Sequence, residues 1–329
     1  MKILVTGASG FLGNNLVKTL IANGHDVIAL LRDERQKDIF SSNPLLRFHA
    51  GDLNDIAALL KVANGCDGIV HTAADTRMWP SKSTEQFTVN VEYTHNILQV
   101  ARQTGVGKFV HVSTVNTLKP GRKKEQPGTE EFPISNLEHP LGYISTKRLA
   151  QQMVLQAAGE GFPALVVNPS FMLGPHDYKP SSGALLLALQ HGKVPGYTAG
   201  GRNFVHVQDV VAGIISAIEK GRAGECYILG HQNLSYREFF EIAAGIMGRK
   251  RIRLLLPKWL AIGYGYANVV WSRAAGKAPA LSHHMARAAS ETQYYSPAKA
   301  IGELNLPQTP IETAIWETLD WFQRQGMLK

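Results

Sequence analysis

Short apolar runs alternate with one-sided apolar stripes through the first half of the chain. Ile3, Leu4 and Val5 form a short run, and Leu16, Val17, Leu20 and Ile21 then recur at helical spacing until Gly24. Val27 to Leu31 is continuously apolar, the pattern of a strand covered on both faces. Leu46–His49, Gly68–His71, Phe109–Val112 and Leu165–Val167 repeat the strand signal. Between them, Phe87, Val91, Ile97, Leu98 and Ala101 predict a long helix ending at Gly105, and residues 141–158 predict another. Regular alternation of strand and helix predicts an α/β fold with a parallel, doubly wound sheet of the Rossmann type.

Beyond Ser170 the texture changes. Gly174-Pro175, Pro180, Pro195-Gly196 and Gly200-Gly201 break the alternation. Phe204 to Asp209 leads into an apolar helix at Val210–Ile218, and Cys226–Leu229 reads as a further strand. Residues 236–247 and 310–325 predict amphipathic helices. The expected organisation is a sheet domain over 1–170, rejoined by 204–230, with 171–203 and 231–329 forming a smaller substrate-binding cap. Residues 118–140 form a polar loop long enough to serve a site. Leu254 to Trp271 is apolar and aromatic but broken by Pro257, Lys258 and two glycines, too short and interrupted to span a bilayer. A buried cap helix is expected there, the alternative being a face for membrane or lipid.

Composition narrows the classes. Of 329 residues, 44% are hydrophobic and 18% charged, which fits a globular chain and not a disordered one. The formal net charge of +8 suits nucleic acid, an anionic membrane or a phosphate-rich cofactor. Basic and aromatic residues do not interleave and no DNA-binding motif occurs, so no nucleic-acid partner is expected. Cys66 and Cys226 supply neither a disulfide framework nor a zinc motif. The twelve histidines lack ligand spacing, and the adjacent His283 and His284 are expected to diverge on a helix, so no metal is expected. With no signal peptide ahead of the first strand, a cytoplasmic location is expected.

The chemistry starts directly after that strand. Gly7, Gly10 and Gly13 permit a tight turn, close approach of backbone to a pyrophosphate, and close helix–strand packing. The helix that begins within them offers free N–H groups and a positive dipole end. Sites that prefer NAD place a carboxylate at the end of the second strand. Here Leu31 and Arg32 stand there, and a guanidinium binds a 2′-phosphate, so NADP is expected over NAD, with Asp33 as the rival ribose ligand. Asp52, beside Leu53, can meet the adenine amino group or cap the helix that follows. Thr72, Ala73 and Ala74 leave room for a flat ligand, and His71 reads as a strand-end residue. Tyr143 and Lys147 lie one helical turn apart, so the ammonium is expected to lower the phenol's pKa toward a useful range. Thr114 ends the fifth strand and can hold a substrate oxygen.

These residues resemble the extended short-chain dehydrogenase/reductases, the NAD-dependent epimerase/dehydratase family. The matching motifs are Thr6-Gly7-x-x-Gly10-x-x-Gly13, Asp52-Leu53, His71-x-Ala73-Ala74, Asn90-Val91, Ser113-Thr114, Tyr143-x-x-x-Lys147 and Asn168-Pro169-Ser170. Ala74 to Trp79, Gly174 to Pro180 and Tyr227 to Gly230 are most similar to the dihydroflavonol-reductase-like branch, which includes hopanoid-associated sugar epimerases. The resemblance implies catalysis by Thr114, Tyr143 and Lys147. It implies cofactor contacts at Gly7, Ser9, Gly10, Phe11, Leu12, Gly13, Arg32, Asp52, Leu53, Thr72, Ala73, Ala74, Val112, Tyr143, Lys147, Asn168, Pro169 and Ser170. Substrate contacts are implied at Asp75, Arg77, Trp79, Thr114, Phe171 and Met172. Asn168 departs from the arginine that many relatives carry before the proline. The implied activity is NADP(H)-dependent reduction of a ketone or aldehyde, the rivals being an epimerase or dehydratase that keeps NAD, a hydroxysteroid-dehydrogenase-like enzyme, or a non-catalytic NADP-binding regulator. Similar enzymes are often homodimers.

Overall fold

Strand β1 (Lys2–Thr6) lies near the middle of a seven-stranded parallel sheet with order β3-β2-β1-β4-β5-β6-β9. Its partners are β2 (Asp26–Leu31) and β4 (Gly68–His71), with Thr6 level with Leu30 on one side and His71 on the other. The remaining strands are β3 (Leu46–Ala50), β5 (Lys108–Val112), β6 (Ala164–Pro169) and β9 (Cys226–Leu229). The chain runs outward from β1 through β2 to β3, then returns to β4 and runs out the other way. That reversal opens a crevice at the carboxyl ends of β1 and β4, where open α/β sheets bind ligands. The computed structural model describes residues 1–77, 83–131, 142–275 and 282–328.

Two helical layers cover the sheet. On one face, α1 (Phe11–Ala22) and α7 (Val207–Lys220) bury Leu16, Val17, Leu20, Val210 and Ile214, each contributing about 1.5–3 kcal/mol on leaving water. On the other, α4 (Tyr93–Thr104) and α5 (Tyr143–Gly159) bury Ile97, Ala101, Val154 and Ala157, with α2 (Ile56–Ala63) beside them. The long helix read before Gly105 is divided: α3 (Thr84–Phe87) passes through a π turn, Thr88–Glu92, into α4. Gly105, at φ +66°, ends it in the left-handed conformation that glycine adopts without strain.

A second sheet centres on β8 (Gly201–His206), which pairs with β7 (Phe171–Leu173), β10 (Gln232–Ser235) and β11 (Thr292–Gln293). Phe204–His206 therefore belongs to this small sheet, and the chain rejoins the large one only from Val207. Phe204 stacks on Phe239 of α8 (Tyr236–Ile246) at 4.3 Å, and Ile311 and Ile315 of α12 (Ile311–Arg324) close that core. The short α6 (Ala184–Gln190) adds Leu186 and Leu189 to that core, whereas α11 (Ala298–Leu304) packs Ala300 and Leu304 into the core of the large sheet beside α7. The apolar stretch before Trp271 forms α9 (Lys258–Ala275), joined to α10 (His283–Ala289). The expectation that it is buried is corrected: Trp259 and Trp271 are 74% and 76% exposed. Apolar content alone does not say which side of a helix faces the protein.

Candidate functional site

The loop after β1 has the geometry its glycines predict. Gly7 sits at φ +66°, and a Cβ there would lie 2.6 Å from the Ala73 amide nitrogen and 2.8 Å from Thr72 Oγ1. A Cβ on Gly13 would fall 2.2 Å from the Gly7 carbonyl, so α1 packs on the loop only with glycine. Gly10 is the N-cap of α1 and no side chain caps it, leaving first-turn N–H groups for an anion. Leu12 turns its side chain into the core, and Phe11 packs against the same cluster, so both offer the site backbone. This cradle fits a pyrophosphate.

At the end of β2 the two rival residues separate. Asp33 caps the short helical turn Glu34–Ile39 by accepting from the Arg35 amide, and it forms a forked pair with the Arg35 guanidinium, 2.5–3.1 Å. That pairing holds its carboxyl at about 2. Arg32 is exposed, and its amide shares Gln36 Oε1 with the Ser9 hydroxyl at 3.2 and 3.1 Å. Arg32 and the phosphate loop are thus linked through one glutamine. Further along, Asp55 and not Asp52 caps α2, accepting from the Ala58 amide at 3.0 Å. Asp52 takes the Asn54 amide at 3.0 Å and the Tyr93 hydroxyl, while Leu53 is buried.

Beyond β4, Thr72 donates to the Thr6 carbonyl at 2.6 Å, and Ala73 and Ala74 remain partly open. Asp75 is pinned by Asn90, whose Oδ1 accepts its amide at 2.8 Å while Nδ2 donates to its carbonyl at 3.0 Å. Asp75 also grips Arg77 through two oxygens, and Arg77 reaches Glu85 at 2.7 Å. These pairs occupy two implied substrate contacts with one another. Trp79 lies outside the described residues. Phe171 and Met172 of β7 are half-buried, and Phe171 packs edge-on to Phe204 at 5.4 Å.

Thr114 and Tyr143 meet just beyond β5, and Lys147, one turn further along α5, reaches back to β5 itself. Tyr143 opens α5 and is hydrogen-bonded with the Thr114 side chain. Lys147 is 2% exposed and donates to the Val112 carbonyl at 2.7 Å, so the implied contact at Val112 is this carbonyl. Burial alone lowers Lys147 to about 7. The expected effect of the ammonium on Tyr143 is corrected. Burial raises the phenol from its ordinary 10.0, the Thr114 bond pulls it back, and Lys147 is not among the causes. The ammonium is turned to the β5 carbonyl, and desolvation of the phenol dominates.

Asn168 is fully buried, and its amide nitrogen is engaged within the protein while Oδ1 has no hydrogen-bond partner among the described residues. Nδ2 donates to the Thr114 carbonyl at 2.9 Å, to Thr117 Oγ1 at 3.1 Å and to Gln151 Oε1 at 2.9 Å. It therefore anchors the backbone that carries Thr114. Pro169 is interior, and the buried Ser170 Oγ and Ser113 Oγ have no hydrogen-bond partner among the described residues. Such orphaned hydroxyls beside an open crevice fit an amide-bearing ligand. Gln36, Thr117, Gln151 and Gln86, whose Nε2 donates to the Asp75 and Arg77 carbonyls at 3.1 and 2.8 Å, were not legible as site residues. Asn90 carried a motif but no role. For Gln151 the signal is a buried polar side chain among Ala150, Val154 and Ala157 of α5, whereas Gln36 lies in a polar turn that carries none.

Two buried histidines lie beneath the site. His71 joins Thr6 Oγ1 at 2.7 Å and Thr94 Oγ1 at 3.0 Å, as a strand-end residue does. Burial and then the charge of Lys147 lower it to about 3. His111, 5.5 Å away, is also pushed down, and neither of its ring nitrogens has a hydrogen-bond partner among the described residues. Between about 3 and 6.5 the unfolded chain holds the proton that folded His71 lacks, so stability falls as pH drops from 6.5. Each histidine contributes a slope of up to roughly 1.4 kcal/mol per pH unit. Urea unfolding across that range measures the slope, and His111→Phe should reduce it by one such increment.

The other histidine pair is also corrected. His283 and His284 do not diverge: their rings lie 4.1 Å apart, and His283 stacks on Tyr266 at 4.2 Å. Among the described residues, no group of three metal-ligating side chains occurs and no helix is long and apolar enough to cross a membrane.

The chain is similar to known proteins. A family model described as the NAD dependent epimerase/dehydratase family matches residues 3–230. The putative dihydroflavonol 4-reductase of Synechocystis sp. is 33% identical over 331 residues, 99% of this chain and 95% of its own. Sterol demethylase protein B of Methylococcus capsulatus is 30% identical over 332 residues, covering the whole of both chains. The crystal structure of gox2253 superposes with a TM-score of 0.83 at 31% identity, over 99% of each chain.

Proposed function

Because the chain belongs to the NAD dependent epimerase/dehydratase family and is an extended short-chain dehydrogenase/reductase, we propose that it is an NADPH-dependent reductase taking a ketone or aldehyde to an alcohol. The observation that carries the cofactor choice is the Asp33–Arg35 pair. It occupies the carboxylate that would serve a ribose hydroxyl and leaves the exposed Arg32 at the end of β2, tied through Gln36 to Ser9. A guanidinium there binds a 2′-phosphate through two parallel bonds. The glycine loop and the uncapped start of α1 would hold the pyrophosphate, and Ser113 and Ser170 would meet the nicotinamide end. When bound, the nucleotide supplies the hydride.

The chain's own residues manage the oxygen. Thr114 holds the carbonyl oxygen by hydrogen bond, and Tyr143 delivers the proton as negative charge develops there. The raised phenol is protonated at neutral pH, the state a proton donor needs. Lys147 places a buried positive charge against the Val112 carbonyl at the end of β5. Asn168, with Gln151 and Thr117, fixes the Thr114 backbone against β6. The substrate class to test first is an apolar, ring-containing ketone, since relatives are named for a dihydroflavonol and a sterol.

Two measurements test the reading. Denaturing the purified protein and identifying any released nucleotide separates it from an epimerase, which would give up tightly held NAD. Steady-state kinetics with both cofactors then tests Arg32. Arg32→Ala should lower the NADPH-over-NADH preference about ten- to hundredfold, the loss of charge-assisted bonds to one phosphate. A wild type that prefers NADH, or an unchanged ratio, would overturn the assignment.

A further inference from the structure

We propose that α9 and the basic segment before it dock this protein onto the surface of a bilayer carrying anionic lipids. Helix α9 is arranged inside out. Its small residues Ala261, Gly265 and Ser272, with Val269, face the protein, and a Cβ on Gly265 would lie 2.7 Å from His283 Cα of α10. Its large residues face water: Trp259 at 74% exposure, Tyr264 at 59%, Val270 at 67% and Trp271 at 76%. Leu254 and Leu255, just before the helix, are also more than half exposed. Scattered exposed apolar residues are ordinary, but two tryptophans with a tyrosine and aliphatic side chains on one short hairpin form a contact face.

Charge selects the occupant. From Arg249 to Ser290 the sequence holds eight Lys and Arg and no Asp or Glu, so 42 residues carry +8, equal to the net charge of the whole chain. Arg249, Lys250, Arg251, Arg253 and Lys258 are exposed and lead straight into α9, with Glu291 beside Lys258 at 3.5 Å as a carboxylate facing them. A second copy of this chain would set the same positive segment against itself. An anionic headgroup layer is complementary to it, and tryptophan and tyrosine rings settle at the depth where headgroups meet acyl chains. Helix α9 would lie in the plane of the interface, anchored by Trp259 and Trp271, with the cations on the headgroups.

The hairpin is also joined to the catalytic side of the molecule. Arg122 pairs with Glu291 at 3.2 Å, and Gly121 bridges to Tyr294 just after β11. The loop that leaves Thr114 is thereby attached to the strand that follows α10, so a docked protein would hold its crevice at a fixed height above the lipid.

Flotation of the full-length protein with vesicles tests this without cofactor or substrate, so its outcome is independent of whether the site reduces a carbonyl. The probes are phosphatidylcholine alone and phosphatidylcholine with phosphatidylglycerol at roughly 3:1. The protein is expected to float with the anionic vesicles, shift its tryptophan emission to the blue, and release as salt rises. Trp259→Ser with Trp271→Ser should weaken partition about tenfold or more, and R249Q/K250Q/R251Q on the order of a hundredfold. All five side chains are exposed, so thermal unfolding should match the wild type. Three results would overturn the proposal: no partition, equal partition onto neutral and anionic vesicles, or sedimentation showing a wild-type dimer that the double tryptophan variant turns into monomer.

Discussion

Tyr143→Phe is expected to lower kcat for carbonyl reduction by about 10²- to 10⁴-fold, the range over which a positioned proton donor contributes. NADPH binding should survive, because the variant removes one oxygen and leaves the glycine loop and Arg32 untouched. The oxygen lost is the one paired with Thr114, and the phenol is held above 10.0 by burial, so it carries its proton at neutral pH. Phenylalanine keeps the ring at the start of α5 and removes only the hydroxyl. Single-turnover measurement at saturating NADPH separates the chemical step from binding. If Tyr143→Phe turned over an accepted substrate at the wild-type rate, the proton would have to come from elsewhere. Thr114→Val is the companion variant, since it removes the partner that pulls the phenol's pKa back down.

The parts of this site that were legible in the sequence are those that a few consecutive residues determine. A strand followed by Gly7, Gly10 and Gly13 allows little other than this turn, because Cβ atoms at Gly7 and Gly13 would collide with backbone. Tyr143 and Lys147 share a helix face by spacing alone. What escaped depends on residues distant in sequence. Asn168 and Gln151, together with Thr117 and Thr114, meet only once β6, α5 and the turn after β5 are assembled. The pairing of Asp33 with Arg35 becomes visible only once the chain folds back after β2. The phenol's shift was misread because helical spacing gives proximity, whereas the sign depends on where the ammonium points and how much water is excluded. The outward face of α9 escaped for the same reason: its apolar pattern was plain, but small residues on the opposite side, and not large ones, make the packing surface.

Lys147→Met should produce a protein that is more stable and close to inactive. Lys147 is buried, has no carboxylate partner among its described contacts, and donates to one backbone carbonyl. Its ordinary value of 10.5 is lowered to about 7 by burial, so the folded chain binds that proton less tightly than the unfolded chain. Below pH 7 the folded state carries the full cost of a buried ammonium, about 5 kcal/mol at roughly 1.4 kcal/mol per pH unit. Between 7 and 10.5 the folded lysine is neutral while the unfolded one still binds its proton, and the cost fades to nothing as the unfolded lysine also loses it. Methionine fills a similar volume without charge, but leaves the Val112 carbonyl without this donor, a loss of about 1–3 kcal/mol. The net gain is about 2–4 kcal/mol below pH 7, shrinking as pH rises toward 10.5, and urea unfolding at the two ends measures it. A lysine serving only the fold would show the reverse, with Lys147→Met destabilised and its kcat preserved. In the proposed reaction that cost is offset by function, since a buried positive charge favours a substrate oxygen as it turns negative.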